Sequence, residues 1–203
     1  MKIIQVCPRY HPDIGGVETN VKELSERLVR RGHQVEVVCT DPRGVHPDRD
    51  RINGVQVTRF RSFAPYDAYF FAPRMAGYLM SRDAEILHAH GYHAFPAFFA
   101  FLAARGKKFI FTPHYHGRGH TRFRNALLTG YDVLAKRIFY RAEKIICDSE
   151  YERKLVTKKF PVRKEKFVLI PIGINFHEFF GFTEERDPHR LLYIGRIEEY
   201  KGV

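Results

Sequence analysis

Short strand-like runs alternate with helical stretches along the whole chain, and this alternation is what most restricts its fold. The runs "KIIQVCP", "QVEVVCT", "GVQVTRFR", "AEILHAH", "KFIFTP", "KIICDS" and "KFVLIPIG" follow one another in order. The first helical stretch, "VETNVKELSERLVRRGH", places Val17, Val21, Leu24 and Leu28 at helical spacing. Periodicity predicts further helices over about 72–82, 92–105, 121–142 and 149–159. Residues 41–54, "DPRGVHPDRDRING", read as a loop. Strands separated by helices form a parallel sheet covered on both faces. The predicted fold class is therefore α/β: a doubly wound, Rossmann-like parallel sheet with helices on both faces.

A length of 203 residues suits one large domain or two small ones. Residues 173–189 read as a connection leaving the sheet. "RLLYIGR" then starts a new strand at about residue 190, with Lys201-Gly202 opening a helix. The expected division is a first domain over 1–175, a connection over 176–189 and the start of a second α/β domain over 190–203.

Ligands of doubly wound sheets bind beyond the carboxyl ends of the strands. Four loops are expected on that edge: "PRYHPDIGGVE", "HAHGYH", "TPHYHGRGH" and "DSEYE". Gly15 and Gly16 stand where the first loop meets its helix. Backbone without side chains can approach a ligand closely, and a helix N-terminus favours a phosphate. A tight turn is the competing explanation. The spacing matches neither a dinucleotide fingerprint nor a P-loop. Glu18 falls in the first helical turn, where a carboxylate is favourable.

The histidines are the second signal. His88, His90 and His93 follow the fourth strand; His114, His116 and His120 follow the fifth. Side chains at i and i+2 of a strand share a face, so His88 and His90 should lie together. They suit hydrogen bonding to a hydroxylated or phosphorylated ligand, or acid–base work. A metal site is the weaker reading, because Asp83 and Glu85 come before the strand. Ser149 reads as an N-cap, with Glu152 completing a capping box. Arg196 and Lys201, after the last strand, could clamp a diphosphate.

Cys7, Cys39 and Cys147 are odd in number and lie in or beside apolar runs, so buried thiols in a reducing cytoplasm are expected. No stretch resembles a signal peptide or reaches membrane-spanning length. The net charge of +11 favours polyanionic partners. Basic residues crowd Arg105–Lys166 with aromatics between them. A solvated helix face accounts for most of these charges, and contact with an anionic membrane surface accounts for their density. The aromatic stretch "FRSFAPYDAYFFAPRMAGYLM" fits either a core helix or a loop and helix lining an acceptor groove or entering lipid.

Together these stretches resemble the retaining glycosyltransferases of the GT-B fold, in family 4. "PDIGGVE" is similar to that family's glycine-pair loop, and "ILHAHG" to its fourth-strand histidine motif. "FTPHYH" resembles its T-x-H segment, "CDSE" its D-S segment and "YIGRIEEYKG" its G-R…K-G element. "VLIPIGIN" departs in detail from the corresponding turn. The resemblance covers the chain in order. It implies a retaining hexosyltransferase moving a sugar from a nucleotide-sugar donor to a hydroxyl acceptor.

The resemblance also implies roles. His90 would be catalytic, contacting the transferred sugar. Gly15, Gly16, Arg196 and Lys201 would bind the donor diphosphate. Arg9, His88, His93, His114 and His116 are the acceptor-binding candidates. No metal and no cofactor are expected, the nucleotide sugar being a co-substrate. Expected partners are that donor and a glycan, lipid-linked or small hydroxylated acceptor, not nucleic acid. The expected place is the cytoplasm, with peripheral contact at the inner face of an anionic membrane. By the same resemblance these residues form the acceptor side of a larger enzyme, a fragment inactive alone. Two alternatives stay open at this point: a His-rich metal-dependent hydrolase, and a non-catalytic polyanion-binding α/β module.

Overall fold

A computed structural model describes residues 1–117, 122–176, 181 and 189–193, with the backbone alone for 66 and 122–130. Its strands are β1 (Lys2–Val6), β2 (Gln34–Thr40), β3 (Arg49–Ile52), β4 (Val55–Phe60), β5 (Ile86–His90), β6 (Lys108–Thr112), β7 (Lys144–Cys147) and β8 (Phe167–Leu169). The helices are α1 (Gly16–Arg30), α2 (Arg74–Ser81), α3 (Phe95–Leu102), α4 (Arg122–Arg141) and α5 (Glu150–Lys159). One sheet takes the strands in the order β3-β4-β2-β1-β5-β6-β7-β8. Every pairing is parallel except β3–β4. The chain leaves β1 toward β2 on one side and returns to pair β5 on the other. The β1/β5 boundary is thus the topological switch point where such sheets bind ligands.

The central strands are buried on both faces, as their continuous apolar character requires. Ile4, Val6, Leu87, Ala89, Phe109 and Phe111 belong to one core, completed by Met75, Leu79, Ile138 and Phe139 from α2 and α4. Val35, Val37, Cys39, Val55 and Val57 form a second core with Val21 of α1. The three cysteines are free and buried. Burial pushes the Cys39 and Cys147 thiols up to about 12, so both stay protonated at neutral pH.

Three local expectations change. The stretch 41–54 is not all loop: Arg49–Ile52 pairs antiparallel with β4 as the sheet edge. Asn53 and Gly54, at φ 49° and 84°, make the two-residue turn between Ile52 and Val55. Asn-Gly is the strongest short hairpin signal, and the surrounding charges hide it. Asn53 Nδ2 also donates to the buried Glu26 carboxylate at 2.9 Å, fastening the hairpin to α1. Second, "KFVLIPIG" pairs as a strand only over Phe167–Leu169, plus a bond from Ile170 N to Cys147 O. Ile172 and Ile174 beyond it are exposed, since among the described residues no strand lies outside β8. Third, Leu191–Tyr193 form no strand, and Leu191 is 100% exposed. A strand exists only as part of a ladder, and the sheet formed by the described residues does not extend to these three.

Candidate active site

The switch point brings the loops after β1 and β5 into contact. Gly91, at φ 87°, lies so close to Pro8 that an added Cβ would stand 3.4 Å from its Cγ. Hydrogen bonds from Gly91 N to Thr112 O and from Tyr92 N to Pro113 O carry the β5–β6 alignment past the strand ends. The loop after β6 therefore follows the loop after β5 along the same edge.

Alternation along β5 sends Leu87 and Ala89 into the apolar core and His88 and His90 to the opposite face, as expected. The two imidazoles lie 4.0 Å apart, and His114 stacks on His90 at 5.7 Å. His88 Nε2 meets Thr112 Oγ1 at 2.8 Å, and His90 Nε2 meets Gln5 Oε1 at 2.8 Å. The amide oxygen of Gln5 only accepts, so His90 carries its proton on Nε2 and leaves Nδ1 as a buried lone pair with no hydrogen-bond partner. Burial lowers His88 to about 3 and drives His90 well below the ordinary imidazole value, assisted by mutual repulsion among the three rings. Both are neutral at physiological pH.

His114 is held differently. Its φ of 49° is the left-handed conformation that side chains rarely take. Its Nδ1 lies 2.7 Å from Oδ2 of Asp148, the residue that follows β7. A carboxylate oxygen only accepts, so Nδ1 carries the hydrogen. Nε2 is buried and unpartnered, available to a ligand hydroxyl. Glu152 fixes this geometry. Its Oε1 accepts from Tyr115 N at 2.6 Å and its Oε2 from Asp148 N at 2.7 Å. One buried carboxylate thereby locks the residue after His114 to the residue that orients it. Ser149 caps α5 as expected, accepting from Glu152 N, but the Glu152 side chain reaches Asp148 and Tyr115 instead of closing a capping box on Ser149.

The glycine pair divides in two. Gly15, extended at the N-cap of α1, faces the protein's own carboxylate: an added Cβ would stand 2.2 Å from Glu18 Oε2. Glu18 is buried there and paired with Arg9 Nε at 3.1 Å. Gly16 has nothing within 4 Å of its Cβ position and opens to solvent at the first turn of α1.

Arg9 does more than its sequence position suggested. Besides Glu18, its Nη1 pairs with Asp67 at 2.7 Å, tying the loop after β1 to the segment before α2. A cavity of about 360 Å³ opens beside it, lined by Arg9, Asp13, Pro42, Arg43, Ala64 and Asp67. A larger cavity of about 570 Å³, bordered by Lys2, His33 and Arg82, lies at the amino-terminal ends of the strands, away from these loops.

His93 is half-buried against Tyr92 and Tyr115, outside the histidine stack, and His116 is exposed. His120, Arg196 and Lys201 lie outside the described residues. Among the described residues no group of three His, Cys, Asp or Glu side chains could hold a metal ion, because the stacked imidazoles face Thr112, Gln5 and Asp148 separately. Sequence reading missed Asp148, Glu152, Gln5 and Thr112 as members of the site. The acidic residue just before the Ser149 N-cap was the available signal.

Comparison with known proteins agrees with this fold. The sequence profile of Glycosyltransferase Family 4 matches residues 14–178. A GDP-mannose:cellobiosyl-diphosphopolyprenol alpha-mannosyltransferase of Xanthomonas campestris is 25% identical over 100% of this chain and 54% of its own length. The GPI3 subunit of phosphatidylinositol N-acetylglucosaminyltransferase of Saccharomyces cerevisiae is 24% identical over 98% of this chain and 47% of its own. The chain thus spans about half the length of the curated relatives it matches. Among solved structures, sucrose-phosphate synthase from Thermosynechococcus elongatus superposes with a TM-score of 0.66 at 15% identity, over 87% of this chain and 49% of that one. Anabaena HepE in complex with UDP gives 0.62 at 14%, over 87% and 45%. The fold is that of the GT-B glycosyltransferases, and the chain belongs to glycosyltransferase family 4.

Proposed function

We propose that the whole protein transfers a sugar from a nucleotide-sugar donor to a hydroxyl acceptor with retention of configuration, and that these residues form its acceptor side, inactive alone. The observation that carries the reading is the Asp148-oriented His114, whose Nε2 is buried and unpartnered on the ligand edge. Residues 1–175 act as the acceptor domain. Residues 190–203 begin the donor domain after a connection over 176–189.

Breaking the bond between the anomeric carbon and the leaving phosphate oxygen puts charge on the diphosphate. The N-terminus of α1 at Gly16 offers backbone N–H groups to it without a side chain in the way. Arg196 and Lys201 neutralise the rest. The acceptor oxygen bonds to the anomeric carbon as its proton passes to the leaving phosphate oxygen on the same face, and His114 Nε2 fixes the hydroxyl groups at the reacting centre. Of the two histidines with a buried, unpartnered nitrogen, His114 is the one we assign to the transferred sugar, because the His90 ring lies deeper and is tethered through Nε2 to Gln5. His90 then positions His114 by stacking, with the tilted His88 ring packed against His90. The reaction uses no metal and no cofactor besides the donor.

The acceptor sits in the cavity beside Arg9. Guanidinium donors of Arg9 and Arg43 and carboxylate acceptors of Asp13 and Asp67 line it, a set suited to sugar hydroxyls. The relatives' acceptors, a diphosphopolyprenol-linked cellobiose and phosphatidylinositol by name, support a lipid-carried acceptor. In this reading the protein works at the cytoplasmic face of an anionic membrane. No helix among the described residues is long and apolar enough to cross one.

The test uses the full-length protein with a panel of nucleotide sugars and lipid-linked glycans. Donor-specific release of nucleoside diphosphate, with a product of unchanged anomeric configuration by NMR, is expected. An inverted product would overturn retention, and binding of no donor would overturn the enzymatic reading.

A further inference from the structure

A row of phenylalanines runs from the ligand edge down α3. Phe63 and Phe71 exchange both backbone hydrogen bonds, at 3.0 and 2.8 Å, as directly opposed residues of an antiparallel pair. Opposed residues place their side chains on the same face. The Phe71 ring meets Phe95 edge-on at 5.1 Å, Phe95 meets Phe98 at 6.5 Å, and Phe98 stacks on Phe101 at 5.8 Å. Phe63 is 71% exposed and Phe71 41%; Phe95, Phe98 and Phe101 are half-buried, and Leu102 at the end of α3 is exposed. Phe95 N donates to Tyr69 O, and Asp67 holds Arg9, so the row is joined to the acceptor cavity.

Contiguous apolar surface of this kind marks a binding face. Along the chain its members are flanked by exposed arginines. Arg61, Arg74 and Arg105, all exposed, precede Phe63, follow Phe71 and follow Leu102, and the chain carries a net charge of +11. Rings in the hydrocarbon boundary with guanidinium groups at the phosphates is the arrangement of an interfacial membrane contact. We propose that the row Phe63–Phe71–Phe95–Phe98–Phe101 is the surface on which this protein seats itself on an anionic bilayer. Resting on the acceptor reading above, this seat holds the cavity at Arg9 beside the lipid that carries the acceptor.

The test is flotation of the full-length protein with vesicles rich in phosphatidylglycerol, against phosphatidylcholine alone. The variants are Phe63→Ser and the double variant Phe63→Ser/Phe71→Ser. Binding to the anionic vesicles is expected to fall about tenfold for each ring removed. Turnover of a water-soluble acceptor and the thermal unfolding of Phe63→Ser should stay unchanged. Undiminished flotation of the double variant would overturn the proposal. Loss of a dimer with undiminished flotation would also overturn it and assign the row to a second copy of the chain. Flotation requires no catalysis, so a protein that seats through these rings but transfers no sugar would contradict only the function proposed above.

Discussion

Nδ1 of His114 and Oδ2 of Asp148 lie 2.7 Å apart, joining the loops that follow two neighbouring strands. The bond fixes which imidazole nitrogen is presented to a ligand. Asp148→Asn keeps the size of the side chain but allows the opposite tautomer. It is expected to lower kcat about 100-fold while leaving the donor KM nearly unchanged, and to alter the pH profile of turnover. Steady-state kinetics over a pH series on the full-length protein checks this.

Glu152 supports that pair from beneath. Glu152→Ala leaves the N–H groups of Tyr115 and Asp148 buried without acceptors. The expected cost is about 3 kcal/mol, read as a shift of the urea unfolding midpoint. Glu152→Gln retains one acceptor oxygen and should lose less.

The two glycines predict opposite outcomes. Gly15→Ala drives a Cβ into the Glu18 carboxylate and disturbs its pairing with Arg9, so it should destabilise the fold. Gly16→Ala meets open space in a helical conformation, and should leave stability unchanged or raise it by about 0.5 kcal/mol. Its donor affinity should nevertheless fall about tenfold, because the methyl group occupies the approach to the α1 N-terminus. Thermal unfolding and donor titration separate the two effects.

His88 ties stability to pH. Its folded value of about 3 lies below the unfolded 6.5, so between these limits the unfolded chain binds the extra proton. Stability is present in full above 6.5 and is lost as pH falls toward 3. His90, also lowered by burial, acts in the same direction. His88→Gln should flatten the decline of the melting temperature across this window, as followed by circular dichroism.

Much of this architecture was legible because parallel strands buried on both faces read as short apolar runs, and helices between them keep their period. Predicted helices over 72–82 and 149–159 correspond to Arg74–Ser81 and Glu150–Lys159. The i, i+2 spacing correctly joined His88 and His90. What sequence could not show was depth. Gln5 binds His90 across 85 positions and Asp148 binds His114 across 34. Those partners decide which nitrogen of each histidine is left for a ligand. Glycine spacing likewise cannot distinguish Gly15, filled by Glu18, from Gly16, which faces open space. The edge hairpin at Asn53-Gly54 was obscured because its charged strand has little to bury.

The most direct measurement compares His114→Ala with His90→Gln in donor-dependent nucleoside diphosphate release by the full-length protein, with acceptor present. The predicted result is a loss of at least about 100-fold for His114→Ala, with a smaller effect for His90→Gln that follows its stability. Turnover of His114→Ala equal to wild type would contradict the assignment of the reacting edge to the Asp148-held histidine.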